Sequence, residues 1–273
     1  MGTSVWAIVF ALFLWWFLTG AVLYAVGLPR RMLLGLMGAV SIASLFALYG
    51  LYVLRDDTSV SAAFAAFTCG LIVWGWHEMT FLTGLITGPR TTALLGRGDN
   101  IANRPAPLAA SVETVIYHEG AILLTLVLVA LFTLGAANQT GLWTLVILWA
   151  MRLSAKFNIY LGVPNLTEHF LPDHLAYLKG YFCRRPMNML FPIAVTISTI
   201  ATLLLAIAAM NIDATAFERT SLTLLATLMA LAVVEHWFMV IPLPAAQLWS
   251  WGLLSREAPP VPAAVRAPTG HSK

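Results

Sequence analysis

Residues 5–26 read VWAIVFALFLWWFLTGAVLYAV, without one charged side chain. A bilayer core of ~30 Å takes about 20 apolar residues to cross as a helix. This stretch is therefore expected to be a transmembrane helix. It has no positive leader and no small-residue cleavage site, and Arg30-Arg31 follows it, so it reads as a retained anchor rather than a signal peptide. Working outward, six further apolar runs are long enough to span: 32–54, 60–86, 113–135, 141–163, 187–210 and 220–241. Turn and breaker residues separate them, among them Pro29, Asp56-Asp57, Gly88-Pro89, Asn138, Pro164, Pro186 and Asp213, and the last run closes at Pro242 and Pro244. The expected architecture is all-α, a polytopic transmembrane bundle of about seven helices.

Composition agrees. Of the 273 residues, 60% are apolar and 10% charged, against roughly 25% charged in ordinary globular chains. The spans leave no room for a soluble domain, so residues 1–254 are expected to form one transmembrane domain. The Pro- and Ala-rich tail, 255–273, is expected to be disordered, with His271 solvated. The net charge of +3 does not point to nucleic acid, because the basic residues sit at the flanks of spans and not in an aromatic-laced patch. Cys69 and Cys183 make neither a metal motif nor a disulfide framework.

Orientation follows from the basic residues. Arg30, Arg31, Arg90, Arg97, Arg104, Lys179, Arg184, Arg185, Arg256, Arg266 and Lys273 fall on one side, and only Arg55 and Arg219 on the other. The N-terminus is expected outside and the C-terminus in the cytoplasm. Two cytoplasmic connections are long. Residues 88–110 read as an irregular basic loop, whereas 164–186 carry Leu171, Leu175, Leu178 and Phe182 at helical spacing. The second is expected to be an amphipathic helix, either at the membrane surface or packed as a connector. Its Glu168, His169, Asp173 and His174 form a polar group outside the bilayer, solvated by default. Trp15-Trp16, Trp249 and Trp251 read as interfacial anchors.

Ionisable side chains inside a span cost roughly 2.5 to 3.5 kcal/mol each on insertion scales. The first, second and sixth runs have none. The others carry His77 and Glu78, then Glu113, His118 and Glu119, then Arg152 and Lys156, then Glu235 and His236. At 1.5 Å per residue, His77, Glu119, Lys156 and Glu235 fall in one layer toward the cytoplasmic ends. Arg152 and Lys156, four apart, share a helix face and need carboxylates opposite. These spans are expected to converge on a polar cluster.

Several chemistries fit such a cluster. One is a structural network of mutually neutralising charges. Another is a metal centre, di-iron or another ion, since His77-Glu78, His118-Glu119 and Glu235-His236 supply imidazoles and carboxylates on three helices. Adjacent residues are rotated by about 100°, however, unlike the Glu-x-x-His spacing of di-iron bundles. A third is axial ligation of haem or bacteriochlorophyll by a histidine, for which His77 beside Trp74 and Trp76 is best placed. A fourth, proton-coupled transport, lacks the inverted repeat it is usually built on.

These same residues carry a family resemblance. The stretches 13–20 (FLWWFLTG), 74–90 (WGWHEMTFLTGLITGPR), 117–119 (YHE), 152–165 (RLSAKFNIYLGVPN), 187–192 (MNMLFP) and 235–244 (EHWFMVIPLP) resemble the PuhE type of photosynthetic complex assembly protein over nearly the whole chain. The resemblance implies a polytopic protein of the bacterial inner or intracytoplasmic photosynthetic membrane, encoded with reaction-centre genes and linked to photosystem assembly and bacteriochlorophyll production. Its implied partners are reaction-centre or core-antenna subunits, other assembly factors and pigment. The motifs fall on Glu78, His118, Glu119, Arg152, Lys156, Asn158, Glu235 and His236. A membrane metalloenzyme acting on a tetrapyrrole, carotenoid or quinone is the alternative from another class, with His77, Glu78, His118, Glu119, Glu235 and His236 as its candidate ligands.

Overall fold

A computed structural model describes residues 2–97, 101–166 and 168–256. Seven long helices form it: α1 (Gly2–Val26), α2 (Arg30–Val53), α3 (Val60–Leu82), α5 (Ile116–Thr133), α6 (Thr140–Leu161), α7 (Leu190–Ala209) and α8 (Ala216–Phe238), with short α4 (Leu108–Val112) and α9 (Ser250–Leu253). Among the described residues there is no strand, only an isolated bridge between Ala102 and Cys183. Six of the seven are long and apolar enough to cross a membrane. The exception is α6, 22 residues long, whose Arg152, Lys156, Asn158 and hydroxyl residues dilute its apolar character. The chain is thus an all-helical, multi-pass membrane protein with six helices of spanning character and a seventh of spanning length.

Local chemistry sets the boundaries. Helix α3 starts where the Ser59 hydroxyl accepts from the Ala62 amide at 3.1 Å. Helix α8 starts at a capping box, the Thr215 hydroxyl accepting from the Glu218 amide at 3.1 Å and the Glu218 carboxylate from the Thr215 amide at 2.8 Å. Helix α7 starts later than expected because Asn188 Oδ1 accepts from the Leu190 and Phe191 amides at 2.9 and 3.1 Å. The third run ends at Leu82 and not at Ile86, since Gly84 takes φ +76°, a left-handed conformation that glycine adopts without steric cost. The fourth begins at Ile116, leaving Glu113 outside, paired with Arg90 at 2.7 Å.

Two apolar cores run through the bundle. One joins α1, α3, α6 and α8 through Ala7, Ala11, Phe67, Leu71, Ile147, Leu224 and Leu228. The other joins α2, α3, α5 and α6 through Ala47, Leu51, Val73, Ile122, Leu126, Val129 and Leu145. Helix α3 belongs to both. At one end the helices are linked by short connections, 54–59, 134–139 and 210–215. At the other, the described residues 83–97, 101–115, 162–166, 168–189 and 239–256 build a roof.

The roof corrects three expectations. Residues 164–186 are not an α-helix: they form 3₁₀ turns at Glu168–Phe170 and Asp173–Tyr181. Proline at 164 and 172 interrupts any longer helix. Leu175 and Leu178, with Leu171 and Phe182 beside them, pack against Val26, Phe81 and Leu82, and Tyr181, buried at the next step of three, donates to the Thr92 carbonyl. His174 is held here as well, its Nε2–H donating to the Leu82 carbonyl at 2.9 Å. Second, Trp249 and Trp251 pack on the middle of α1: Trp249 lies edge-on to Trp15 at 5.1 Å, Trp251 lies 5.6 Å from Trp16, and Trp249 Nε1–H donates to the Trp16 carbonyl at 3.0 Å. Third, Ser255 and Arg256, assigned to the tail, are bound to Tyr24 and Phe170 carbonyls at 2.7 and 2.9 Å. Residues 257–273 of that tail lie outside the described residues, as do Arg266, His271 and Lys273. Cys183 is fully buried in the roof, and burial raises its thiol pKa against the opposing pull of Arg185 and Arg97.

Candidate functional site

The two cores change chemistry where they approach the roof. Residues four or seven apart share a helix face, so the strip through Ala11 on α1 continues into Trp15. The strip through Leu71 on α3 continues into Glu78, that through Leu148 on α6 into Arg152, and that through Leu228 and Leu231 on α8 into Glu235. These four side chains form one polar group. Arg152 pairs with both Glu78 oxygens, Nε at 3.3 Å and Nη2 at 3.4 Å. Trp15 Nε1–H donates to Glu235 at 2.7 Å. The Arg152 side chain is 41% exposed, and Glu235 is exposed although it continues the buried strip of α8.

The second core ends in a histidine pocket between α3, α5 and α6. Val73 leads to His77, Ile122 back to His118, and Leu145 to Trp149. Glu119 is the hub, one oxygen accepting from Lys156 Nζ and the other from Trp149 Nε1 at 3.1 Å. Lys156 also stands 5.5 Å over the Phe81 ring. His77 contacts Thr125 Oγ1 through Nε2 at 3.1 Å and lies edge-on to Trp76. His118 is 1% exposed and neither ring nitrogen has a hydrogen-bond partner. It packs 4.7 Å from Phe81 and 6.4 Å from His77, and its backbone amide donates to Thr87 in the roof at 2.9 Å.

His236 and Asn158 belong to neither group. The Ala232 carbonyl can only accept, so His236 Nδ1–H donates to it at 2.9 Å and Nε2 accepts from the Ser154 hydroxyl at 3.0 Å. Asn158 donates to the Ser154 carbonyl at 3.0 Å, and Asn188 donates to Asn158 Oδ1 at 3.1 Å and to the Gly162 carbonyl at 2.9 Å. This uncharged chain ties α8 and the start of α7 to α6.

The eight residues expected as one cluster fall into three hydrogen-bonded groups, the first two within electrostatic reach of each other through Lys156, Arg152 and Glu78. Helix rotation explains the division, because adjacent side chains diverge by about 100°. His77 serves one core and Glu78 the other, and Glu235 and His236 part in the same way. The six expected metal ligands do not converge, and among the described residues no three His, Cys, Asp or Glu side chains are placed to share an ion. Glu78 and Glu119 are turned instead toward Arg152 and Lys156. His77, the expected pigment ligand, is 1% exposed, with Nε2 in contact with Thr125 Oγ1 and Nδ1 without a hydrogen-bond partner. Sequence reasoning missed Trp15 and Trp149 as carboxylate donors, and Ser154 and Asn188 as links. Trp149 stands seven residues before Lys156, on the same helix face, but nothing in its spacing separates a donor from an anchor.

Seven long helices, six of them of spanning character, with ion pairs held beneath a loop roof, define a multi-pass membrane protein without a built metal centre among its described residues. The chain belongs to the family described as "Protein of unknown function (DUF3623)", whose model matches residues 1–260. It is 37% identical over 277 residues to a Rhodobacter capsulatus protein named "Uncharacterized 30.4 kDa protein in puhA 5′region", covering 95% of this chain and 96% of that one. No solved structure matches.

Proposed function

We propose that the protein is an integral membrane assembly factor for the bacterial photosynthetic reaction centre and its core antenna, linked to bacteriochlorophyll supply or insertion. The observation that carries this reading is the Rhodobacter capsulatus relative, 37% identical across nearly the full length and named for its place in the puhA 5′ region. The PuhE-type stretches support it, since they include the Glu78, Glu119, Arg152, Lys156 and Glu235 positions. The bundle supports action inside the bilayer, on membrane subunits or lipid-soluble pigment, because most of the chain is helix of spanning length. The protein would sit in the cytoplasmic or intracytoplasmic photosynthetic membrane. Its roof would face the cytoplasm, as the positive-inside rule asks of the end that holds Arg30, Arg31, Arg90, Arg97, Arg104, Lys179, Arg184 and Arg185.

The ion pairs supply rigidity at the working layer. Removing one partner of a buried pair strands the other in a low-dielectric setting, at about 3–5 kcal/mol. The test is complementation of a phototrophic host that lacks its own copy. Near-infrared absorption of the membranes should show reaction-centre and core-antenna bands restored by the wild-type gene. Unchanged bands in the host without any copy would remove the proposal.

A further inference from the structure

Three exposed arginines meet at one corner of the roof. Two extended stretches run side by side there, joined by the parallel bridge between Ala102 and Cys183. The Arg184 amide donates to the Ala102 carbonyl at 2.9 Å, and Arg185 Nε–H donates to the Asn103 carbonyl at 3.0 Å. In this parallel register Arg104 falls beside Arg185. Arg104, Arg184 and Arg185 are all exposed. Glu168 pairs with Arg184 at 2.6 Å, and among the described residues neither Arg104 nor Arg185 has an acidic partner. Like charges gathered in this way repel one another, and an anion relieves the repulsion.

One of the two is held ready for it. The Arg185 stem lies across the end of α6, where Gly162 takes φ +117° and a Cβ would come within 2.8 Å of Arg185 Cγ. With Nε–H donating to Asn103, the two Nη groups are the donors left over. A guanidinium so fixed has little freedom to lose when a ligand binds, and its planar fork matches a phosphate.

Position supplies the rest. Helix α7 is 20 residues long, about 30 Å at 1.5 Å per residue, which is the thickness of a hydrocarbon core. Its first residue, Leu190, therefore falls at the hydrocarbon border, and Arg185, a few residues earlier, at the level of the headgroups. From there Met189, Ile193, Ile197, Ile200, Leu204 and Ile207, spaced three or four apart, run down α7 as one exposed apolar strip.

We propose that this corner binds one anionic glycerophospholipid, its phosphate held by Arg104 and Arg185 and an acyl chain laid along the strip that begins at Met189. A free phosphate would use the arginines alone, whereas the lipid also fits the strip beneath them. A zwitterionic headgroup would bring its own cation into a corner already rich in positive charge. The inference is independent of the assembly role, since it concerns how the bundle sits in its membrane and not what it does there.

The test is native mass spectrometry of the full-length protein purified in mild detergent, offered phosphatidylglycerol, phosphatidylethanolamine and phosphatidylcholine of identical chains, with and without excess inorganic phosphate. One phosphatidylglycerol should be retained per chain in preference to the other two, and inorganic phosphate should not displace it. Arg104→Gln and Arg185→Gln should each weaken retention by about tenfold, the loss of one charge-assisted hydrogen bond. The Arg104 side chain makes no hydrogen bond or ion pair among the described residues, so its variant should fold, which keeps the test decisive if Arg185→Gln loosens the roof. Met189→Ser puts a favoured capping residue at the N-cap of α7 and removes apolar contact, so it should weaken retention with the helix intact. Equal retention of the three headgroups, displacement by inorganic phosphate, or full retention in Arg104→Gln or Met189→Ser would overturn the proposal.

Discussion

At the scale of single residues, Glu119 carries the clearest consequence. It accepts from Lys156 and from Trp149, and both side chains of the ion pair are at most 20% exposed. Glu119→Gln keeps the shape and leaves the ammonium without its counter-charge, so the variant should lose about 3–5 kcal/mol. Lys156→Met should lose a comparable amount. The double variant should lose less than the sum, because contacting residues couple; equal additivity in a detergent unfolding titration would mean that the pair is not formed. Ser154→Ala removes the donor to His236 Nε2 and is expected to cost about 1–2 kcal/mol, the range of hydrogen bonds between membrane helices. The polar positions themselves were legible, because every one is an anomaly in an apolar run. Their partners were not. Which neighbour His77 or Glu78 meets depends on helix rotation and on the crossing of α3 between two cores, neither of which residue spacing along one helix can give.

At the scale of elements, close packing and hydrogen bonds together hold the C-terminal segment to α1. A Cβ at Gly20 would run into the Trp251 ring, and one at Gly252 would come within 2.6 Å of the Gly20 carbonyl. Gly20→Leu should therefore detach the segment 245–256 at a cost of about 1–3 kcal/mol or more. Limited proteolysis after α8 should accelerate; an unchanged cleavage rate would contradict the docking. The same contacts explain why the tryptophans were misread from sequence. Interfacial anchors and packed aromatics share one composition, and the distinction lies in Gly20 and Gly252, which permit the approach. The amphipathic reading of 164–186 failed for a related reason. Leu175 and Leu178 fit both a 3.6- and a 3-residue period, and only Tyr181, buried at the next step of three, separates them.

At the scale of the whole molecule, the spans were legible because 20-residue apolar runs between breakers leave few alternatives. The roof was not, since its three stretches are joined by contacts between residues far apart in the chain, such as Asn165 Nδ2 with the Ile241 carbonyl at 2.7 Å and Tyr181 with the Thr92 carbonyl at 2.9 Å. The segregation of basic side chains predicts that cysteines placed at Arg31 and Arg104 are labelled from the cytoplasmic side and one at Asp213 from the opposite side; the reverse pattern would invert the topology. On the proposed function, the ion-paired layer beneath the roof supports photosystem assembly. The most direct measurement compares the near-infrared absorption of membranes from phototrophic cells whose only copy is wild type, Glu119→Lys, Lys156→Glu or both together. Each single reversal should abolish the reaction-centre and core-antenna bands, and the double exchange, which restores the pair, should recover much of them. Bands at wild-type strength in either single variant would contradict the claim.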